Sequence, residues 1–569
     1  MKRGVTGLVI LLVALPAWTA AAELPRLVVQ ITVDQLRGDL PLRYRDRFGD
    51  GGFRYLLDRG TWYVAAHHPH AHTETIVGHT TLATGAYPSR HGMVANVWFD
   101  RDTQKSVHNI EDSRYPLLSV LGEKQAGPGA SPVSILTTTF SDELAITTAG
   151  RARIYALSVK DRGAVPLAGH TGKAFWFSLS NGCFVSSAFY YDQYPPWVKA
   201  KCAQRLADGY AKTTWDLLHD RARYLHRDSS NQYPKGTPAE GNMEMLAGAL
   251  GFGRTFPHTF AAPGPTLYNG ITISPRGDDL TLDFAKTLIK EEQLGKDEVP
   301  DYLAISFSST DLVAHWFSPA SLESEDTILR LDATLRDLFA FIDKEVGLDK
   351  TLIVIAGDHG GPEYPEYLTE RNIDTGHVSQ QEIRQAAERA LAARYGTVKG
   401  EIIAAVSPPY VFLDHAVIAG NQLDRAEVER VVASAVQRLA GVSLAMARSD
   451  LQRGMGGVDE ALMRQIRRND YPARSGDVYI VQKPQWQVDE ANPPKLLQHG
   501  SPWAYDTYVP VAFAGGNVPA AFVLRSIETV DVAATLSVLL RTKYPSGSVG
   551  GPLTELSSAV PAGTARPSP

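Results

Sequence analysis

The sequence predicts an α/β fold: a central mixed, largely parallel β-sheet covered by helices on both faces, with cap-like insertions. Three observations carry this reading. Apolar runs of strand length recur at 26–33, 301–308, 351–356, 477–482 and 508–514. Helical patterns alternate with them, as where Ile328, Leu331, Leu335, Leu338, Phe339 and Ile342 fall on one face at 3.6-residue spacing. Alternation of strands and helices is the pattern of a sheet covered by helices. Several of these runs also end in acidic residues, and ligand sites of open α/β sheets lie beyond the carboxyl ends of strands.

Taken in order, residues 1–22 read as a signal peptide, with Lys2 and Arg3, an apolar stretch broken by Pro16, and a small-residue site at Ala20-Ala21-Ala22. That stretch falls short of the roughly 20 residues a membrane span needs. The expectation is an exported chain, periplasmic or secreted. Removal of Lys2 and Arg3 takes its net charge from -6 to -8, which argues against nucleic-acid binding driven by phosphate neutralisation. The remaining length, roughly 520 residues, exceeds the ~250 to 300 at which one core usually stops growing. A domain over 23–544 is therefore expected to carry insertions. One is placed near 151–263, rich in aromatics, Gly and polar loops, and a second near 363–487, with helical runs such as QEIRQAAERALAARYG. The Pro, Ala, Ser and Gly content of 545–569 predicts a disordered tail.

The only cysteines are Cys183 and Cys202. In an oxidising compartment a disulfide between them is expected, with two buried thiols as the alternative; it would stabilise by about 3 kcal/mol in the chain-entropy model.

The chemistry-bearing residues gather at strand ends. Asp34 ends the first run, Asp311 follows another, and Asp358-His359 ends TLIVIAGDHGG. Asp311 and His315 are four apart, which on a helical turn stacks both on one face. His499 precedes a Gly-Ser-Pro turn. A lone acidic residue at a strand end is ordinarily a cap or turn former, but three such sites, two with histidines, suit metal coordination. Six candidates, Asp34, Asp311, His315, Asp358, His359 and His499, supply O and N donors for two ions with open positions, as in catalytic zinc. Thr75 opens a T-x-x-G-H run where a helix N-terminus would favour a phosphate. The preceding HHPHAH cluster lacks clear ligand geometry and reads as structural or as support for the ligands.

The ordered set VDQLRGD, T-x-x-G-H, TGAYPSRHGMVAN, SVKDRGA, STDLVAH, AGDHGG and HGS resembles the alkaline phosphatase superfamily. Within it the chain is similar to bacterial secreted, monomeric alkaline phosphatases with a threonine nucleophile, in the type I phosphodiesterase/nucleotide pyrophosphatase-like sequence family. The likeness spans about Val28 to Leu540. It implies two Zn2+ per chain, one on Asp311, His315 and His499 and the other on Asp34, Asp358, His359 and the Thr75 oxygen. It also implies a phosphothreonine intermediate, a monomeric state, and contacts from Asn96, Lys160 and Arg162 to the phosphoryl group. Lys160 and Arg162 are alternate residues that would share one side of an extended stretch. Such cations suit a phosphate monoester dianion and oppose the alternative of a phosphodiesterase or nucleotide pyrophosphatase. An inactive metal-dependent binding protein is the alternative outside enzymes. Sulfatases of the superfamily need a Cys or Ser where this chain has Ala86, and the mutases use serine. The chain departs from the family in Ile76-Val77, where a Gly/Ala-Pro pair is frequent. The expected activity is hydrolysis of small phosphate monoesters.

Overall fold

In the computed structural model, residues 23–122, 128–228, 253, 255–454, 459–489 and 496–559 are described. The expected signal peptide, 1–22, lies outside them.

Nine strands form the central sheet: β1 (Leu27–Val33), β2 (Thr61–His67), β3 (Ile154–Ser158), β4 (Lys173–Phe177), β5 (Phe184–Val185), β6 (Asp301–Phe307), β7 (Thr351–Gly357), β8 (Tyr508–Ala514) and β9 (Ala521–Glu528). Their spatial order is β9-β2-β8-β7-β1-β6-β3-β4-β5. The middle of the sheet is parallel: β7, β1, β6, β3 and β4 pair in sequence. β8 runs antiparallel to both β7 and β2. The sheet is therefore mixed and mostly parallel, as expected. β1, β6 and β7 are buried at every position, which explains why their sequences are near-continuous apolar runs and not alternating ones. Among the few polar residues in these strands, Gln30 accepts a hydrogen bond from Tyr302 Oη at 2.9 Å.

Three helices contribute residues at the ends of these strands, α1 (Thr75–Thr84), α2 (Asp161–Ala168) and α3 (Ser309–Phe317), and a fourth, α4 (Leu322–Glu345), packs on α3. The apolar face expected of α4 is inside, with Ile328, Leu331, Leu335, Leu338, Phe339 and Ile342 all buried. Its N-terminus is capped by Ser321, which accepts from the Ser324 backbone N–H.

Three boundaries shift from the sequence reading. The region assigned to an insertion at 151–263 contains β3, β4 and β5 of the central sheet; only the chain after β5 leaves it. Aromatic content misled here, because KAFWF is a strand, and aromatic residues pack well on a pleated surface. Secondly, the strand expected at 477–482 is not in the central sheet. It belongs to a four-stranded antiparallel sheet of 403–407, 410–413, 478–482 and 442–447, with its own apolar cluster that includes Ile383, Val411, Val432 and Ile480. Thirdly, residues 545–559 are not a disordered tail. Leu553 and Leu556 are buried, and the Val549 N–H donates to Gly85 O; small residues there allow close packing. Residues 560–569 lie outside the described set.

Cys183, beside β5, and Cys202, in the helix 196–203, are joined by a disulfide.

Candidate active site

The central strands end level with one another. Val33 stands between Phe307 and Gly357 in the parallel register, so Asp34 and Asp358, the next residues of β1 and β7, emerge at one edge. Asp311 joins them from the first turn of α3, which begins directly after β6. These side chains form two groups. In one, His315 Nε2 lies 3.2 Å from Asp311 Oδ1, and His499 Nε2 lies 3.5 Å from the same oxygen. In the other, His359 Nε2 lies 3.4 Å from Asp34 Oδ1 and 3.5 Å from Asp358 Oδ2. Within each group, one candidate ligand atom per residue lies within 4.8 Å of the others. The groups abut, since the His359 and His499 rings stack with centroids 3.8 Å apart.

The outer nitrogen of each histidine is spent on a backbone carbonyl. Nδ1 donates to Leu497 O from His315, to Gly360 O at 2.8 Å from His359, and to Thr73 O at 2.8 Å from His499. In the neutral ring this leaves the Nε2 lone pair facing the carboxylates, the orientation a metal-ligating imidazole takes. Asp34 Oδ1, Asp311 Oδ1 and His359 Nε2 are buried without a hydrogen-bond partner. Of the three buried carboxylates, Asp34 and Asp311 face one ammonium, that of Lys160. Unsatisfied O and N donors with an excess of buried negative charge fit cations.

Electrostatics agree. Burial opposes ionisation of Asp34, but Lys160 and His359 together hold the carboxyl well below the usual range. Asp311 is held low as well, against its burial, by His315 and Lys160. Burial and the neighbouring Asp34 raise Asp358. Burial also works against a charge on His359, yet Asp358 and Asp34 raise it to about 10. The carboxylates that could bind a cation therefore compete for a proton there, the coupling expected of a metal site.

Lys160 and Arg162 differ from the expected picture. Lys160 is extended, but a helix begins at the next residue, so the pair is not an alternating extended stretch. Lys160 Nζ is buried 2.7 Å from Asp34 Oδ2 and 2.5 Å from Asp311 Oδ2, between the two groups. Arg162, in the first turn of α2, lines an adjoining cavity of about 310 Å³ with its Nε buried and unpaired. Thr75, Asn96, Asp311, His315 and His499 line the same cavity, whose other side is formed by Pro408, Pro409, Ile480 and Gln482 of the smaller sheet region.

Thr75 is the first residue of α1, and the departure Ile76-Val77 leaves the helix start in place with both residues buried. Gly78 explains how α1 comes so near. A Cβ there would lie 1.8 Å from Asp358 O, so the helix backbone rests directly on the end of β7.

Some contributors were not among the candidate site residues read from the sequence. His79 Nδ1 lies 2.8 Å from Thr75 O and 3.0 Å from Asp358 Oδ2, while Nε2 reaches Ser306 Oγ at 2.9 Å; its i, i+4 relation to Thr75 was the available signal. Asp506 accepts from the Gly500 and Ser501 backbone N–H groups, and its own carbonyl accepts from Gly360 N–H. It ties the turn after His499 to the turn after His359, and no local pattern marks it. The HHPHAH histidines serve the fold: His68 bonds Gly357 O and Thr529 Oγ1, and His70 bonds His72 O.

Residues 28–508 match the family model described as type I phosphodiesterase / nucleotide pyrophosphatase. A Myroides odoratus protein named calcium-transporting ATPase is 30% identical over 94% of this chain and 95% of its own length. Alkaline phosphatase PafA of Elizabethkingia meningoseptica is 32% identical over 95% of each. A crystal structure of wild-type PafA superposes with a TM-score of 0.84 at 28% identity, covering 94% of this chain and 99% of that one.

Proposed function

The chain belongs to the type I phosphodiesterase / nucleotide pyrophosphatase family, and we propose that within it the chain is an alkaline phosphatase, a hydrolase of phosphate monoesters. The observation that carries this is the cation pair beside two metal-capable groups: Lys160 between Asp34 and Asp311, and Arg162 with an unpaired Nε in the cavity. The likeness to alkaline phosphatase PafA over nearly the whole chain supports it.

Two zinc ions fit the donor sets, one on Asp311, His315 and His499 and one on Asp34, Asp358, His359 and the Thr75 oxygen; when bound they supply Lewis acidity to the attacking and leaving oxygens. The protein's own groups do the rest. The Thr75 oxygen, at the N-terminus of α1, attacks phosphorus as the ester P–O bond breaks, giving phosphothreonine and an alcohol. Water then attacks the phosphothreonine and releases inorganic phosphate, returning the hydroxyl. Asn96, Lys160 and the Arg162 fork donate to the non-bridging oxygens, whose charge persists into the transition state. A diester has an organic group where these cations point, so the monoester is the better fit.

The leader at 1–22 supports export to the periplasm or beyond, and a monomer is proposed from the resemblance. Among the described residues, no helix is long and apolar enough to cross a membrane.

Hydrolysis of an aryl phosphate monoester, the corresponding diester and ATP by purified protein, with bound metal quantified, tests the reading. Monoester preference with zinc bound is expected. Diester preference would favour the phosphodiesterase alternative, and inactivity of fully metallated protein would favour a binding protein.

A further inference from the structure

Glu74 precedes the proposed nucleophile, and its side chain makes no cap bond to α1 although the residue holds the N-cap position. A carboxylate lining a phosphate cavity is repulsive to the substrate, so its presence there calls for another use. Its Oε2 accepts the backbone N–H of Asn96. On its other side, His72 Nε2 faces the same oxygen at 3.2 Å, while His72 Nδ1 donates to Gly500 O at 2.9 Å.

The remaining atoms of Asn96 are also committed. Its carbonyl accepts from Asn109 twice, from the backbone N–H at 3.2 Å and from Nδ2 at 2.8 Å. Its Oδ1 accepts from the Ile76 backbone N–H at 3.2 Å. That last bond sets the amide's orientation, because only an oxygen can accept from an N–H. Backbone donor, backbone acceptor and side-chain acceptor are thus held by three separate residues. The Asn96 Nδ2 is left as the uncommitted donor of a residue that lines the cavity.

We propose that Glu74 and Asn109 are positioning residues that lock Asn96 so that its Nδ2 is preorganised as a donor to a non-bridging oxygen of a phosphate monoester. The inference rests on the phosphomonoesterase reading. Preorganised donors contribute because they need no reorganisation as the reaction proceeds; freeing Asn96 from its frame wastes part of that contribution without removing the group.

The test is a double-mutant cycle on kcat/KM for an aryl phosphate, with zinc content measured, and in parallel the affinity for inorganic phosphate by calorimetry. Glu74→Ala is expected to lower kcat/KM and phosphate affinity about tenfold, and Glu74→Gln, whose carbonyl oxygen can still accept from the Asn96 N–H, to recover most of the loss. In the Asn96→Ala background, Glu74→Ala should cost nothing further, since its target is gone. Asn109→Ala is read in the same cycle by the same criterion, and decides the matter should Glu74→Ala not fold. Losses that multiply with Asn96→Ala, or single variants within twofold of the wild type, overturn the inference. A wild-type protein inactive on monoesters sinks the functional reading instead, while calorimetry still reports on the Asn96 frame.

Discussion

Replacing Gly78 by alanine puts a methyl group where the end of β7 already lies. The new Cβ would stand 1.8 Å from Asp358 O, 2.6 Å from its carbonyl carbon and 2.9 Å from its Cα. These are backbone atoms beside a proposed metal ligand, so no flexible side chain can swing aside. Relief requires α1 to retreat from β7 by more than about 1 Å, and a misplacement of that size can cost about 100-fold in rate. Overpacking of this kind also destabilises by about 1 to 3 kcal/mol. Thr75 rides on the same helix, one turn before Gly78, and moves with it. The expected result for Gly78→Ala is a kcat for aryl phosphate down about 100-fold, with near-native far-UV circular dichroism. Gly209→Ala is the control, because a Cβ there meets nothing within 4 Å. Should Gly78→Ala keep kcat within threefold of the wild type at full zinc occupancy, the argument that α1 must rest on Asp358 to aim Thr75 is wrong.

Thr75→Ala should abolish turnover and the burst of a trapped phosphoenzyme; turnover near wild type would exclude the covalent route. Arg162→Ala should lower monoester kcat/KM by about tenfold or more while sparing diester hydrolysis, so equal losses on both substrates would remove the dianion argument. Burial lowers the His68 and His91 imidazoles to about 3, whereas unfolded histidine titrates near 6.5. The unfolded chain therefore binds more protons, and this stability is fully present above about pH 6.5 and is lost as pH falls toward 3, at about 2 kcal/mol per residue by pH 5. Denaturant midpoints at pH 8 and pH 5 for the wild type and His91→Gln check this, the variant showing the smaller pH dependence; equal midpoints for the wild type would refute it. Removing the Cys183–Cys202 bridge, which spans a sequence separation of 19, should cost about 3 kcal/mol, read from the same denaturation curves.

Much of this protein was legible because its central strands are buried on both faces. β1, β6 and β7 announce themselves as continuous apolar runs, and the acidic residue after each marks the sheet edge where ligands collect. The i, i+4 pair Asp311 and His315 is likewise a local pattern that the helix turns into one face. Spacing along the chain also set Thr75 at a helix start, where α1 begins. Local pattern could not say where the cations go. Lys160 and Arg162 looked like neighbours on one face, but a helix starting at Asp161 separates them, and Lys160 ends between two carboxylates contributed by β1 and α3. The same limit hid Glu74, Asn109 and Asp506, whose partners lie 13 or more residues away or in turns with no regular period. The residue types and their order therefore determined the chemistry available, because donor identity and strand or helix periodicity are local properties. Only the tertiary structure decided which donors lie together, which cation faces the cavity and what surrounds Asn96, because those depend on parallel register and on the close approach that Gly78 permits.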